Sequence, residues 1–162
     1  MKNKITVCSL ICLFIMFFVT TAFAKETKIV GGMIADIPTK YSLDEKDDES
    51  ITFVQKEDGS VININYLKVQ KGQKLTQEIK QELAKEICKD RDIKVTSKSN
   101  EKIGDKNVYV ISGKMNVDGT TFNSYIYMFQ YKNKAIFMVC GCQPKDAKIK
   151  EKTFRRVIES IY

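Results

Sequence analysis

Apolar and polar residues alternate with a period of two through most of the chain, and with a helical period in two segments. Period-two alternation is typical of half-buried strands, and recurrence every three to four residues is typical of amphipathic helices. The predicted strands cover residues 33–43, 51–56, 61–69, 92–100, 107–117, 121–131 and 135–141. Helices are predicted at 75–88 and after Pro144, so the order is three strands, a helix, four strands and a closing helix.

Turn residues separate these segments. Asp58-Gly59 and the "DGT" of Asp118–Thr120 are strong hairpin signals. The charged stretch Asp44–Ser50 lacks the glycine and the distal glutamate of a calcium loop, so it is predicted to be a solvated turn. Ala135–Gly141 is apolar at every position, which predicts a central strand covered on both faces.

The closing helix has two different sides. Phe154, Val157, Ile158 and Ile161 fall on its predicted inner side. Its basic residues fall on the opposite side: Lys148, Lys152, Arg155 and Arg156. Such a side is suited to an anionic surface or partner, although a solvated basic face without a partner is the common alternative.

The first 24 residues resemble a secretory signal peptide. Lys2 and Lys4 precede an uncharged apolar run, Ile5–Val19, and Ala22-Phe23-Ala24 is a small-x-small cleavage pattern. Cleavage after Ala24 would leave residues 25–162 as one domain beginning with a flexible leader, Lys25–Gly32. An uncleaved anchor is the alternative, because 5–23 is just long enough to span a bilayer.

Composition removes several classes of function. The chain contains no histidine, which excludes Ser-His-Asp and Cys-His catalysis and leaves only sulfur or carboxylate ligands for zinc. The formal charge is +7, but acids are interspersed with the bases, so no nucleic-acid partner is predicted. No catalytic residue, metal site or cofactor is predicted.

Several segments carry a resemblance to a known group. They are "ADIPTKYSL" (35–43), "VYVISGKM" (108–115), "SYIYMFQYKNKAIFMVCGC" (124–142) and "FRRVIESIY" (154–162). In order and pattern they resemble the PsbP-like fold group, which includes the DcrB-like bacterial envelope proteins. The resemblance implies an α+β fold with an antiparallel sheet of six to seven strands sandwiched by helices, and a non-enzymatic binding or assembly role. The lipid-accepting cysteine of the lipoprotein members is absent here.

Cysteine chemistry is left open by the sequence. The predicted mature chain has three cysteines, Cys88, Cys140 and Cys142, and an oxidising compartment favours pairing. A bridge from Cys88 to Cys142, or to Cys140, is one hypothesis. A Cys140–Cys142 bond, a redox centre or a copper(I) site are the others, and ordinary core packing is the last.

The sequence therefore predicts an exported protein, periplasmic or secreted, that binds an unknown envelope protein or an anionic surface. After removal of the signal it is expected to have no integral membrane domain. The first alternative is a thiol-disulfide redox protein that uses the Cys-Gly-Cys segment. The second is a hydrolase with a carboxylate site, for which Asp36 and Asp146 are the candidate acids, although turn or cap roles explain them as well.

Overall fold

A central antiparallel sheet of seven strands organises the computed structural model, which describes residues 24–70 and 72–162. The strands are β1 (Ala24–Lys28), β2 (Ile34–Pro38), β3 (Ser42–Lys46), β4 (Ser50–Gln55), β5 (Ser60–Lys68), β6 (Lys94–Ile103), β7 (Lys106–Val117), β8 (Thr120–Tyr131) and β9 (Lys134–Cys142). The helices are α1 (Gln77–Asp90) and α2 (Ala147–Ser160). The main sheet has the order β3-β4-β5-β9-β8-β7-β6, and β1 and β2 form a separate hairpin. The predicted signal peptide lies outside the described residues, apart from Ala24.

Two apolar cores lie on opposite faces of this sheet. On one face α2 and the β1–β2 hairpin pack against Ile62, Tyr127 and Met138 among others. On the other face α1 packs against residues that include Ile126 and Phe137. The protein is therefore an α+β sandwich of three layers, as the sequence predicts.

Strand β9 occupies the middle of the sheet, between β5 and β8. Met138 pairs with Ile64 and Tyr127, and it faces the α2 side. Its neighbours Phe137 and Val139 face the α1 side. This confirms the prediction from the uniformly apolar sequence, because alternate side chains of a strand point to opposite faces.

The hairpin between β7 and β8 turns at Asp118 and Gly119, whose φ values are 49° and 81°. Two successive positive φ values are typical of a tight hairpin turn with the twist of the flanking strands, so this prediction is also confirmed.

Strand β7 also contains Gly113, which has no space for a side chain. A Cβ there would lie 2.6 Å from Cγ2 of Ile93 and 2.8 Å from the carbonyl oxygen of Lys94, beside the irregular pairing of β6.

Two predictions for the N-terminal part are wrong. Residues 33–43 do not form one strand, because the chain turns after Pro38 and β3 begins at Ser42. The segment expected to be a flexible leader contains β1, which pairs with β2 from Ala24 to Lys28. Apolar residues after it, such as Ile29 and Val30, are buried in the α2-side core and fix its position.

The turn predicted at Asp44–Ser50 is shorter in the structure, because residues 44–46 belong to β3 and Ser50 begins β4, which leaves 47–49 as the turn. One carboxylate oxygen of Asp47 accepts hydrogen bonds from the backbone N–H groups of Glu49 (2.8 Å) and Ser50 (2.6 Å). Side-chain acceptance from backbone two or three residues later is a common way to stabilise a turn.

Candidate binding surfaces

Helix α2 presents most of its basic residues to solvent. Lys148, Lys152 and Arg156 follow one another at intervals of four, and Lys145 lies in the short 3₁₀ turn just before the helix. All four side chains are exposed, and within the described part of the chain none of them makes an ion pair. We call these four residues, together with Ile149, the α2 basic face.

Ile149 was missed by the sequence reasoning. Its side chain is 70 % exposed, the largest exposure of any bulky apolar residue among those described. A helical wheel gives the signal that was available, because Ile149 falls about 140° around the axis from Phe154 and only about 20° from Arg156. It therefore lies beside the cations, at the edge of their stripe, and not with the core residues.

Arg155 has a different environment from the other predicted partner residues. One guanidinium nitrogen lies 2.7 Å from Glu101 on β6, and another lies 3.1 Å from Glu151 one turn earlier. The hydrogen bond with Glu101 raises the pKa of Arg155, and the same bond lowers the pKa of Glu101. Arg155 thus holds α2 against the edge of the sheet, and its charge is already paired.

Lys150 points away from the α2 basic face and is 8 % exposed. Its ammonium group lies 2.6 Å from Asp58 and donates a 2.6 Å hydrogen bond to Gln55. Burial by itself would raise the pKa of Asp58, but hydrogen bonds from Lys150 and Ser60 outweigh burial and lower it. This ion pair fixes the first turn of α2 against the sheet.

The three cysteines among the described residues are free thiols and lie on both sides of the sheet. Cys88 is half-buried and packs in the α1-side core, whereas Cys140 and Cys142 are buried in the α2-side core. The sheet separates them, so a bridge from Cys88 would require α1 or β9 to move. None of these three residues forms a disulfide in the structure, and a bridge from Cys88 to Cys142 or Cys140 stays a prediction.

The environment of Cys140 and Cys142 does not favour redox chemistry. Burial raises the pKa of Cys142 to about 11 and raises that of Cys140 as well. Thiol exchange requires an accessible thiolate, which these two residues do not offer at neutral pH. Their hydrophobic surroundings are those of core residues.

A groove lies between α1 and β5. Its volume is about 330 Å³, and its apolar walls come from Leu83 and Ile87 on α1 and from Phe137 and Val139 on β9. A second depression of about 200 Å³ continues it toward the start of the helix. Leu83 and Phe137 line both depressions, so the groove follows the length of α1.

The groove has a polar end at the C-terminus of α1. The amide of Asn63 donates to Ser50 (3.1 Å) and Thr52 (2.8 Å), and its oxygen accepts from Asn65 (2.6 Å) and Arg91 (3.3 Å). The side-chain amide of Asn63 is therefore satisfied within the protein.

Two carboxylates, those of Glu49 and Asp90, line the rim of the groove. Both side chains are exposed and solvated, unlike the apolar setting of a tuned catalytic pair. Asp36 and Asp146, the candidate acids from the sequence, are not among the residues that line the groove. The backbone N–H of Asp36 bonds to Ser160 (2.9 Å), and Asp146 precedes α2.

Within residues 24–70 and 72–162 no cluster of three or more cysteine, aspartate or glutamate side chains has the geometry of a metal site. In the same ranges no helix is both long enough and apolar enough to cross a membrane.

Comparison with known proteins gives a fold and no closer relationship. No family model matches the chain, and no curated protein sequence matches it. Among solved structures, a Bacteroides thetaiotaomicron protein superposes with a TM-score of 0.65 at 19% identity over 86% of this chain. That match covers 48% of the Bacteroides protein, so this chain spans about half of its length.

Three smaller proteins match over nearly their whole lengths. Cyanobacterial PsbP (CyanoP) from Synechocystis has a TM-score of 0.67 at 9% identity, covering 90% of this chain and 95% of that one. The Ran-binding protein Mog1p of Saccharomyces cerevisiae has 0.61 at 11%, covering 86% and 94%. LpqN of Mycobacterium tuberculosis, described as involved in cell envelope biogenesis, has 0.57 at 11%, covering 85% and 89%. With the layer order and strand topology described above, these matches show that the chain has the Mog1/PsbP-like fold.

Proposed function

We propose that this chain is an exported, non-enzymatic binding or assembly protein of the cell envelope, and that it binds an anionic partner through the α2 basic face. The observation that carries the proposal is the row of exposed cations beside Ile149, which make no ion pair within the described part of the chain. The inner side of the same helix is buried, so the outer side is presented in a fixed position.

Two observations support a place in the envelope. The sequence begins with a charged start, an apolar run and an Ala-x-Ala pattern, which are typical of a secretory signal. The fold is shared with LpqN, whose description places that protein in envelope biogenesis. A fold by itself does not determine function, so the proposal depends on the surface.

The chemistry of the remaining candidate groups supports binding over catalysis. The chain has no histidine, its Cys-Gly-Cys thiols are buried, and the two carboxylates beside the groove are solvated. The thiol-disulfide alternative has no comparable support, because Cys140 and Cys142 offer neither access nor a lowered pKa.

The proposal is tested by charge reversal in the full chain. The variant Lys148→Glu/Lys152→Glu/Arg156→Glu is expected to lose the salt-sensitive part of its retention in the envelope fraction. Retention is measured at physiological salt and at about 1 M salt, where the Debye length falls to about 3 Å.

A matched control reverses three exposed lysines on the edge strand β6: Lys94, Lys98 and Lys102. It changes net charge by the same amount, so it should be retained like the parent protein. Equal retention of the parent, the α2 variant and the control would contradict the proposal.

A further inference from the structure

We propose that the α2 basic face docks on the surface of an anionic phospholipid membrane, with Ile149 inserted among the headgroups. This inference rests on the proposed function and names its partner. It follows from the arrangement of charge around one apolar side chain, the composition of the face and the position at which the chain enters the domain.

The arrangement on α2 is that of an interfacial helix. On a helical wheel Lys148, Lys152 and Arg156 span about 80°, and Ile149 adjoins Arg156 at the edge of this stripe. Glu159 is exposed on the same side at the far end of the helix, so the cations are confined to its first three turns. Cations beside an exposed large aliphatic residue are typical of helices that lie in the plane of a membrane surface.

The composition of the face favours lipid over a protein partner. The cores of protein–protein interfaces are enriched in aromatic residues and depleted in lysine. The α2 basic face has three lysines, one arginine and one isoleucine, without an aromatic side chain. Lysine acts as a point charge that satisfies phosphate without a fixed geometry, which suits mobile headgroups.

The face is preformed, so docking requires little ordering of the protein. Phe154 and Val157 are fully buried beneath it. The Lys150–Asp58 pair (2.6 Å) holds the first turn, and the Arg155–Glu101 pair (2.7 Å) holds the third. A rigid helix loses less conformational entropy on binding than a segment that folds at the surface.

The chain enters the domain in the same layer as α2. The β1–β2 hairpin is attached to the end of α2 by the bond from Asp36 N–H to Ser160 (2.9 Å), by the bond from the Tyr162 hydroxyl to Glu26 (2.6 Å) and by backbone pairing of Ile34 with Tyr162. The apolar run Ile5–Val19 ends shortly before β1 begins at Ala24. Membrane contact through this layer is therefore compatible with either a cleaved or a retained N-terminus.

The size of the effect follows from general values. Each cation near an anionic bilayer contributes about a fivefold gain in affinity at physiological salt. Partial burial of one isoleucine side chain contributes about tenfold, independent of salt. The two contributions can therefore be separated by salt concentration.

The test is co-sedimentation of the full-length exported protein with phosphatidylcholine vesicles, with and without phosphatidylglycerol. We expect binding to increase with phosphatidylglycerol. Lys148→Gln/Lys152→Gln should weaken that increment about 25-fold, and Lys94→Gln/Lys98→Gln on β6 should leave it unchanged. Any contribution of residues 1–23 is common to all variants and is measured with the neutral vesicles.

The apolar arm uses Ile149→Ser, which should weaken binding about tenfold at both low and high salt. Its control is Leu67→Ser, since Leu67 is 47 % exposed and lies on the α1 side of the sheet, opposite α2. All six changed sites are exposed, and unchanged thermal unfolding verifies that the four variants are folded.

Three outcomes would overturn the inference: equal binding to neutral and anionic vesicles, equal losses in the α2 and control variants, or binding to polyglutamate without binding to anionic vesicles. The last outcome would identify an acidic protein partner and would leave the proposed function intact. The proposed function fails separately, if charge reversal on α2 does not change envelope retention.

Discussion

The two helices have the same length, 14 residues each, but they cover their faces of the sheet very differently. Helix α2 buries Lys150, Phe154, Val157 and Ile158. Helix α1 buries Ala84 alone, and its larger apolar residues, such as Leu83 and Ile87, stay half-buried beside the groove. One face is therefore closed by its helix, and the other is left partly open.

The spacing of the inner residues is the same in the two helices, so it does not account for this difference. In α2, Lys150, Phe154 and Ile158 recur every four residues, and all three are buried together with Val157. In α1, Ile79, Leu83 and Ile87 recur at the same interval but are only half-buried, and the small Ala84 beside them is the one buried residue.

The difference assigns different roles to the two faces. The α2 side carries the ion pairs and the fully buried aromatic residue that stabilise the fold, and its outer surface is free to bind. The α1 side has fewer buried contacts, so we expect it to open at lower cost. The predictions below test this contrast, from the largest expected effect to the smallest.

Thiol reactivity should differ most. In the folded protein Cys88 should react readily with a small thiol reagent at about pH 9, whereas Cys140 and Cys142 should react at least about a thousandfold more slowly, since they require the α2-side core to open. Stopped-flow labelling with DTNB measures both phases, and Cys88→Ser should remove the fast one. Where the leader is retained, Cys8 and Cys12 are first replaced by serine.

The same preparation tests the disulfide hypothesis. A non-reduced mass that is two hydrogens below the mass of the reduced protein would show a bridge. A missing fast phase in that protein would place Cys88 in the bridge, which contradicts the separation of the thiols by the sheet.

Core truncation should show the contrast in free energy. Phe154→Ala should lower the free energy of unfolding by about 3–5 kcal/mol, because it leaves a cavity in the closed core. Leu83→Ala should cost about 1–2 kcal/mol, since the side chain is already half-exposed. Urea denaturation of the two variants gives both values, and similar losses would mean that the two faces are packed alike.

Removal of the buried ion pair should cost less than loss of the aromatic core. Lys150→Met leaves the mostly buried Asp58 without its cation and should cost about 2–3 kcal/mol at neutral pH. Lys148→Met, on the exposed side of the same turn, should change stability by less than about 0.5 kcal/mol.

The ion pair also has a pH signature. The folded-state pKa of Asp58 lies below its ordinary value of 3.8, so this group stabilises the fold above that value and loses its contribution as the pH falls through the lowered pKa. The difference between parent and Lys150→Met should therefore shrink in acid. A difference that is the same at about pH 7 and about pH 3 would assign the loss to packing of the lysine stem instead.

The smallest effect concerns the N-termini of the two helices. The Thr76 hydroxyl accepts a hydrogen bond from the N–H of Ile79 at 3.4 Å, and Thr76→Ala should cost up to about 1 kcal/mol and speed amide exchange in the first turn of α1. Asp146 makes no side-chain cap at the start of α2, so Asp146→Ala should change exchange there much less. If the two substitutions accelerated amide exchange equally in the first turns of α1 and α2, the assignment of Thr76 as the stronger cap would be wrong.

Much of the fold could be predicted from local pattern. The two-sided apolar sequence of β9 predicts its central place, and the Asp-Gly pair predicts the β7–β8 hairpin, since both depend on neighbouring residues only. The split at Pro38 and the pairing of β1 were missed, because they depend on burial against α2, which is distant in sequence.

The candidate surface divides in the same way. The sequence identified Lys148, Lys152 and Arg156, because helical spacing places them opposite Phe154. It could not show that Arg155 pairs with Glu101, or that Lys150 reaches Asp58, since both partners lie on strands far along the chain. A helical wheel of the sequence already places Ile149 away from the core residues, and the structure shows that its side chain is exposed.

By itself the sequence determined the approximate positions of the strands and helices from β4 onward, which side of α2 is basic and which histidine-dependent chemistries are absent. These follow from side-chain periodicity and composition, which are local properties of the chain. Tertiary structure alone decided that the sheet separates Cys88 from Cys140 and Cys142, that two cations of α2 are bound internally, and that α1 leaves a groove open. Each of these depends on contacts between segments that are distant in sequence. Such contacts form only when the helices pack against the two faces of the sheet.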